Sequence, residues 1–171
     1  MVFSFLAFID QIPPITFFIP LLLLYLLWVY FLIKGKFFFY LFLTIFVLAF
    51  FSFLGDLFYV KLIKTEYLTK FINKYTPLKL KEEELKDINL KKLIYSRLSP
   101  LYKIFIYENN REQFFKLKNM VFLYLSHVFF FSLVALVAFI SIKSAELIGF
   151  KRFDLVFTFL SFFILTRILK I

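Results

Sequence analysis

Asn119 to Ile142 reads NMVFLYLSHVFFFSLVALVAFISI, which is 24 consecutive residues without Asp, Glu, Lys or Arg. A helix needs about 20 predominantly apolar residues to cross the hydrocarbon core of a bilayer. The only side chain in this stretch that titrates near neutrality is His127. The stretch therefore predicts a membrane-spanning helix.

Three further stretches have the same character. They are Ile15–Ile33, which follows Pro13 and Pro14; Phe37–Val60, which is interrupted by Asp56; and Phe153–Ile171, which carries Asp154, Arg167 and Lys170 near its ends. Charges at the ends of a helix can extend to the interface, so the last stretch still predicts a crossing. Met1 to Ile9 is apolar but too short to span. We expect a short interfacial segment over 1–13, in which Asp10 and Gln11 return to water.

The composition of the 171 residues favours a lipid environment. The chain is 63% hydrophobic and 19% charged, against about 45–50% and about 25% in ordinary globular domains. A small domain buries only roughly two-thirds of the surface of its unfolded chain, so it cannot hide this much apolar surface from water. With no Cys and one His, the chain alone cannot build a Cys/His zinc site, a dithiol redox pair or a bis-histidine haem site. We predict no catalytic, cofactor-binding or metal-binding residues.

The predicted fold class is an all-α integral membrane protein with four transmembrane helices. Residues 14–60 form transmembrane helices 1 and 2, and residues 119–171 form transmembrane helices 3 and 4. A mostly helical cytoplasmic segment, 61–118, is inserted between helices 2 and 3. The chain has no Gly-rich linker and no internal repeat. One folded unit is therefore expected.

The distribution of Lys and Arg predicts the orientation. Residues 61–118 hold 14 of them, and Arg167 with Lys170 brings the total on the side of both termini to 16. The opposite side holds five, which are Lys34, Lys36, Lys143, Lys151 and Arg152. Basic residues accumulate on the cytoplasmic side of membrane proteins. We therefore expect both termini and the central segment in the cytoplasm, with the chain in an inner or plasma membrane or an equivalent organelle membrane.

The central segment has helical periodicity. Apolar positions predict a helix over 61–75 and a second one over 79–92. Lys103 to Tyr107 fits a helix or a short strand. Asn110 with Gln113 resembles a capping box that starts the helix of the third crossing.

The 14 basic residues of this segment are interleaved with leucines and seven acidic residues. Binding to nucleic acid would require a concentrated basic patch with stacking aromatics, so this pattern disfavours nucleic acid. Spread positive charge instead favours anionic lipid headgroups on the cytoplasmic side.

Ionisable groups at membrane depth are the candidate functional residues, because they are expensive to bury. Asp56, His127 and Arg167 all lie at a level near the inner leaflet, where Asp56 and Arg167 could form an ion pair with His127 bonded to either. A functional interpretation is a proton or ion relay or a coordinating cluster. The structural alternative is a polar contact that fixes the helix register. Gly55 could permit close helix approach or a bend.

Two further features concern packing. Small residues on the third crossing predict a packing face, because they let helices approach closely; they are Ser132, Ala135, Ala138 and Ser141. On the outer side, Asp154 is expected to form a local surface pair with Lys151 or Arg152.

These observations favour a non-enzymatic, multi-spanning membrane protein. It would act as an oligomeric or complex-forming membrane subunit whose basic cytoplasmic helices dock a partner or anionic lipid. The alternative is an oligomeric ion channel or pore, or a membrane-perturbing effector, gated through the cytoplasmic domain. A lipid-modifying membrane enzyme is the third hypothesis.

Overall fold

The computed structural model describes residues 2–9, 11, 21–62, 88–98, 103, 106–107, 110–149 and 154–168. All regular secondary structure in these ranges is helical, which confirms the all-α class for this part of the chain. The helices are α1 (Val2–Ile9), α2 (Leu21–Lys34), α3 (Phe38–Leu62), α4 (Leu90–Leu98), α5 (Leu117–Leu147) and α6 (Asp154–Ile168). A 3-10 helix, Arg111–Phe115, precedes α5.

Two of the described helices are long and apolar enough to cross a membrane by length and composition. They are Phe38–Lys61 in α3 and Leu117–Leu147, which is the whole of α5. The described parts of α2 and α6 have 14 and 15 residues, which is shorter than the about 20 residues of a typical crossing. Two of the four predicted crossings thus correspond to described helices that are long enough to span.

A tight turn joins α2 to α3. The backbone N–H of Phe37 donates to the carbonyl of Leu32 at 2.9 Å, and that of Lys36 donates to Ile33 at 3.0 Å. This is the hydrogen-bond pattern of a Schellman motif. Lys36 has a φ of 59° and occupies the left-handed position of the motif. The turn makes α2 and α3 antiparallel neighbours.

Helix α5 is the centre of the packing, since it contacts α2, α3, α4 and α6. The bundle core lies mainly between α2, α3 and α5, and its buried members are Ala7, Tyr25, Leu26, Val29, Ile33, Ile45, Leu48, Ala49, Phe131, Val134, Ala135, Ala138 and Ile142. Tyr25 donates from its hydroxyl to the carbonyl of Phe131 at 3.0 Å. The residues of the predicted packing face lie at this centre: Ala135, Ala138 and Ser141 are buried, and Ser132 is half-buried.

A second core lies at the end of the bundle where α3 ends and α5 begins. It consists of Tyr59, Val60, Leu93, Ile106, Tyr107, Phe114 and Leu123. Helix α4 contributes Leu93 and begins at Leu90, because the side-chain oxygen of Asn89 accepts the N–H of Lys92 at 2.9 Å and caps the helix. The second core therefore attaches the central segment directly to α3 and α5.

The central segment differs from its predicted pattern at Asn89 and at Asn110. The helix predicted over 79–92 does not continue through Asn89, while 79–87 and 63–75 lie outside the described residues. Lys103, Ile106 and Tyr107 are helical, so the strand alternative is wrong for these positions.

The predicted capping box at Asn110 is also wrong. The amide of Asn110 donates to the carbonyl of Ile106 at 3.0 Å and does not cap a following helix. The 3-10 helix ends at an extended Lys116, with φ −72° and ψ 134°, before α5 starts. The carbonyl of Gln113 accepts the backbone N–H of Lys116 at 3.1 Å and the side-chain amide of Asn119 at 2.8 Å. The 3-10 turn places Phe114 against the ring of Tyr107, at 4.5 Å between centroids.

Candidate functional site

The candidate site lies at the junction of the two cores. On α5, His127 stands one turn from Leu123 of the second core and one turn from Phe131 of the bundle core. Asp56 lies opposite it on α3 and has no solvent-exposed surface. An ionised carboxylate in such a place is stable only if it is paired and hydrogen-bonded.

Asp56 is held by three buried side chains. His127 Nε2 lies 2.8 Å from Oδ2, and the hydroxyl of Tyr107 donates to the same oxygen at 2.8 Å. The ammonium of Lys103 lies 2.8 Å from Oδ1. Lys103, Tyr107 and His127 are each 3% exposed or less, so the whole cluster is shielded from water. The carboxylate thus has at least one partner on each oxygen.

Lys103 also connects Gln11, two residues beyond the end of α1, to the cluster. Its ammonium donates to the backbone carbonyl of Gln11 at 2.9 Å and to the side-chain oxygen Oε1 at 2.7 Å. The ammonium thus lies within 3 Å of three oxygens, one of Asp56 and two of Gln11. Gln11 is 6% exposed. The prediction that Gln11 returns to water is therefore wrong, because its oxygens are needed by a buried cation.

Gly55 lets α1 approach α3 beside this cluster. A Cβ on Gly55 would overlap the carbonyl oxygen of Phe8, and Ser52 donates to the carbonyl of Ala7 at 3.3 Å. The predicted close approach at Gly55 is confirmed, and the neighbour is α1. Ala7 is fully buried in this contact, so α1 packs on α3 along one of its faces.

The charges of the cluster balance when His127 is neutral. Asp56 and Lys103 cancel each other, and a carboxylate can only accept, so His127 donates from Nε2–H. A second positive charge inside this low-dielectric junction would be costly. The cluster can hold a proton at His127. Its hydrogen bonds and ion pairs also connect α3, α5, Gln11 and the segment that contains Lys103 and Tyr107.

The structure brings two of the three predicted intramembrane residues together. Asp56 and His127 are in direct contact. Arg167 belongs to α6, and its side chain lies outside the described residues, so its predicted pair with Asp56 stays a prediction. Lys103 and Tyr107 were missed. A signal was present: Lys103 is the only charged residue in the run LYKIFIY, 101–107, as expected of a cation with a buried partner.

A second polar cluster occupies the opposite end of the bundle. Asp154 at the start of α6 is 2% exposed and accepts the hydroxyl of Tyr30 at 2.8 Å. Lys34 pairs with Asp154 and lies 3.6 Å from Glu146. The hydrogen bond with Asp154 raises the pKa of Lys34 above its ordinary value. The predicted surface position of Asp154 is wrong, because the start of α6 packs against the end of α2. Lys151 and Arg152, its predicted partners, lie outside the described residues.

No known protein family matches this chain. Neither a curated protein nor a solved structure matches it. Within the described ranges, no group of three or more His, Asp or Glu residues is placed to hold a metal ion. Function is therefore inferred from the two polar clusters and from the exposed apolar surface of α3.

Proposed function

We propose that this chain is a four-crossing integral membrane protein that acts without catalysis as a subunit of a membrane assembly. Both termini and residues 61–118 lie in the cytoplasm, and the basic helices of that segment dock a partner or anionic lipid. α3 and α5 supply two of the crossings. α2 and α6 belong to the other two, Ile15–Ile33 and Phe153–Ile171, whose remaining residues lie outside the described ranges.

The observation that carries this proposal is the exposed face of α3. Only 22% of its most apolar window is buried inside the chain. Eight of its large apolar side chains between residues 38 and 50 are 36–74% exposed, and they are Phe38, Phe39, Tyr40, Phe42, Leu43, Phe46, Val47 and Phe50. Soluble monomers rarely expose a contiguous apolar patch of more than a few hundred Å². Lipid and a neighbouring subunit are the environments that suit this face.

The Asp56 cluster supports a coupling role within the assembly. Its members come from α3, α5, the end of α1 and residues 103–107. Interhelical polar contacts of this kind hold membrane helices in one arrangement. A partner that binds the cytoplasmic segment would act directly on the crossings, because Lys103 and Tyr107 connect the two.

The sequence contains no cysteine, so the topology can be tested by labelling single cysteines introduced at chosen positions. Single substitutions Leu147→Cys and Lys116→Cys place exposed thiols at the two ends of α5. We expect a membrane-impermeant maleimide to label Leu147→Cys in intact cells and Lys116→Cys only after permeabilisation. The reverse pattern contradicts the orientation. Equal labelling of both in intact cells contradicts a crossing by α5.

The subunit role is tested by the mass of the particle in mild detergent. After alkaline extraction of membranes, the chain is expected to stay with the lipid fraction. Native mass spectrometry should then show an oligomer or a stoichiometric partner. A monomer with no bound protein, at concentrations where the chain is folded, overturns the subunit role while leaving the membrane placement intact.

Conduction is a second candidate, favoured by the ionisable cluster within α3 and α5. Asp56, His127 and Lys103 would then form part of a proton path. Liposomes that contain the chain should show a proton flux that Asp56→Asn and His127→Gln reduce and that Ser132→Ala leaves unchanged. No flux from any assembled state removes this candidate.

A further inference from the structure

A cavity of about 280 Å³ opens at the end of the bundle opposite the Asp56 cluster. It lies where α2 turns into α3 and where α5 approaches its end. Lys34, Lys36, Lys143 and Glu146 form its charged side. The apolar stretches of α3 and α5 both end at this level, so in the proposed topology the cavity lies at the depth of the lipid headgroups.

The other side of the cavity is apolar. Phe38, Phe139 and Ile142 line it, and the rings of Phe38 and Phe139 meet edge to face at 6.5 Å between centroids. Phe38 is 52% exposed and Phe139 is 37% exposed. The apolar wall therefore continues without a break into the exposed face of α3. A ligand that fits both sides must combine a charged group with a hydrocarbon chain.

Charge pairing leaves one lysine of the cavity available. Lys34 is paired with Asp154, and Lys143 bonds Glu146 at 2.8 Å. Lys36 forms no ion pair with any residue in the described ranges. Among the described residues the site thus has one uncompensated positive charge, which is suited to a singly charged anion.

We propose that this cavity binds the phosphodiester group of a phospholipid, with Lys36 as the phosphate ligand and an acyl chain against Phe38 and Phe139. A phosphodiester carries one negative charge, which matches the charge of the site. Lysine binds phosphate as a point charge at the end of a flexible stem. Lys36 also stands at the left-handed turn position that usually takes glycine. The inference rests on the proposed membrane placement.

The test counts lipids that stay bound to the purified chain. The delipidated protein in mild detergent is titrated with phosphatidylglycerol, and occupancy is read by native mass spectrometry. We expect one tightly retained lipid per chain. Lys36→Gln should weaken its apparent Kd about tenfold, which is the effect of losing one charged hydrogen bond. Leu147→Gln is the control, because it changes an exposed side chain at the same end of the bundle and leaves every charge in place.

Two further titrations separate the sources of binding. Diacylglycerol with the same chains has no phosphate, and glycerophosphoglycerol has the phosphodiester without chains. Both should bind at least tenfold more weakly than the lipid. The lipid site is refuted if Lys36→Gln equals the wild type, if Leu147→Gln weakens binding as much, or if either analogue binds as tightly as phosphatidylglycerol.

A separate measurement distinguishes this failure from failure of the proposed function. A chain that leaves the membrane on alkaline extraction contradicts the membrane placement itself. A chain that remains in the membrane but retains no phosphatidylglycerol contradicts the lipid site alone.

Discussion

Replacing Lys103 by Met tests the buried cluster most directly. The substitution keeps the length of the side chain and removes its charge. The ammonium contacts Asp56 Oδ1 at 2.8 Å and two oxygens of Gln11 at 2.9 and 2.7 Å. The variant therefore leaves a fully buried carboxylate without its cation and two oxygens without a donor from Lys103. Breaking a buried ion pair by removing one partner costs about 3–5 kcal/mol.

That cost is large enough to measure as a change in melting temperature. For a chain of 150–250 residues, about 1 kcal/mol corresponds to roughly 2–4 °C, so Lys103→Met should lower the Tm by about 10 °C. The chain has a single tryptophan, Trp28 in α2, whose fluorescence reports unfolding of the bundle in detergent. Lys61→Met, at an exposed position of α3, should stay within about 2 °C of the wild type.

A double variant completes the experiment. Asp56→Asn with Lys103→Met removes both charges, so it should be more stable than Lys103→Met alone, because no unpaired charge is left in the junction. If Lys103→Met melts like Lys61→Met, or if the double variant is no better than the single one, the buried ion pair does not contribute as the geometry implies.

Three other predictions concern packing and the opposite polar cluster. Gly55→Ala should cost about 1–3 kcal/mol and expose α1 to limited proteolysis, because its Cβ would overlap the carbonyl oxygen of Phe8; wild-type resistance contradicts this. Ala138→Leu should cost about 1–3 kcal/mol in the Tm assay, since Ala138 is fully buried, and an unchanged Tm means that α5 is not packed there. The raised pKa of Lys34 means that its pairing stabilises the fold fully below its ordinary value of 10.5 and loses that effect as pH rises through the raised value. Over that alkaline range the Tm of the wild type should fall more steeply than that of Lys34→Met, and parallel curves exclude the linkage.

The two long apolar helices, α3 and α5, could be predicted because their signal is local. A run of apolar residues without charge indicates a crossing whatever its neighbours are. Gly55 was predicted to allow close approach for a similar reason, since the absence of a Cβ is a property of the residue itself. The helix that accepts this approach, α1, was not predicted, because nothing in the sequence of an eight-residue apolar segment indicates which surface it packs against.

The wrong predictions concern polar residues whose expected surroundings were inferred from neighbours in the sequence, but whose partner in the structure is distant in the sequence. Asp154 stands close to Lys151 and Arg152 in the sequence, yet its cation is Lys34 at the end of α2. Gln11 follows an apolar segment and was assigned to water, yet it accepts from Lys103. In both positions burial removes water as a partner, and the group must then pair with whatever the fold brings within hydrogen-bond distance.

By itself, the sequence determined the helical class, the positions of the long apolar stretches and the concentration of basic residues in 61–118. These are properties of composition and periodicity along the chain. Only the tertiary structure decided that Lys103 meets Asp56, that α1 lies on Gly55 and that Lys34 pairs with Asp154 at the far end. Partners of buried charges are chosen by packing between segments distant in sequence, because the desolvation of a charge must be offset wherever the fold places it.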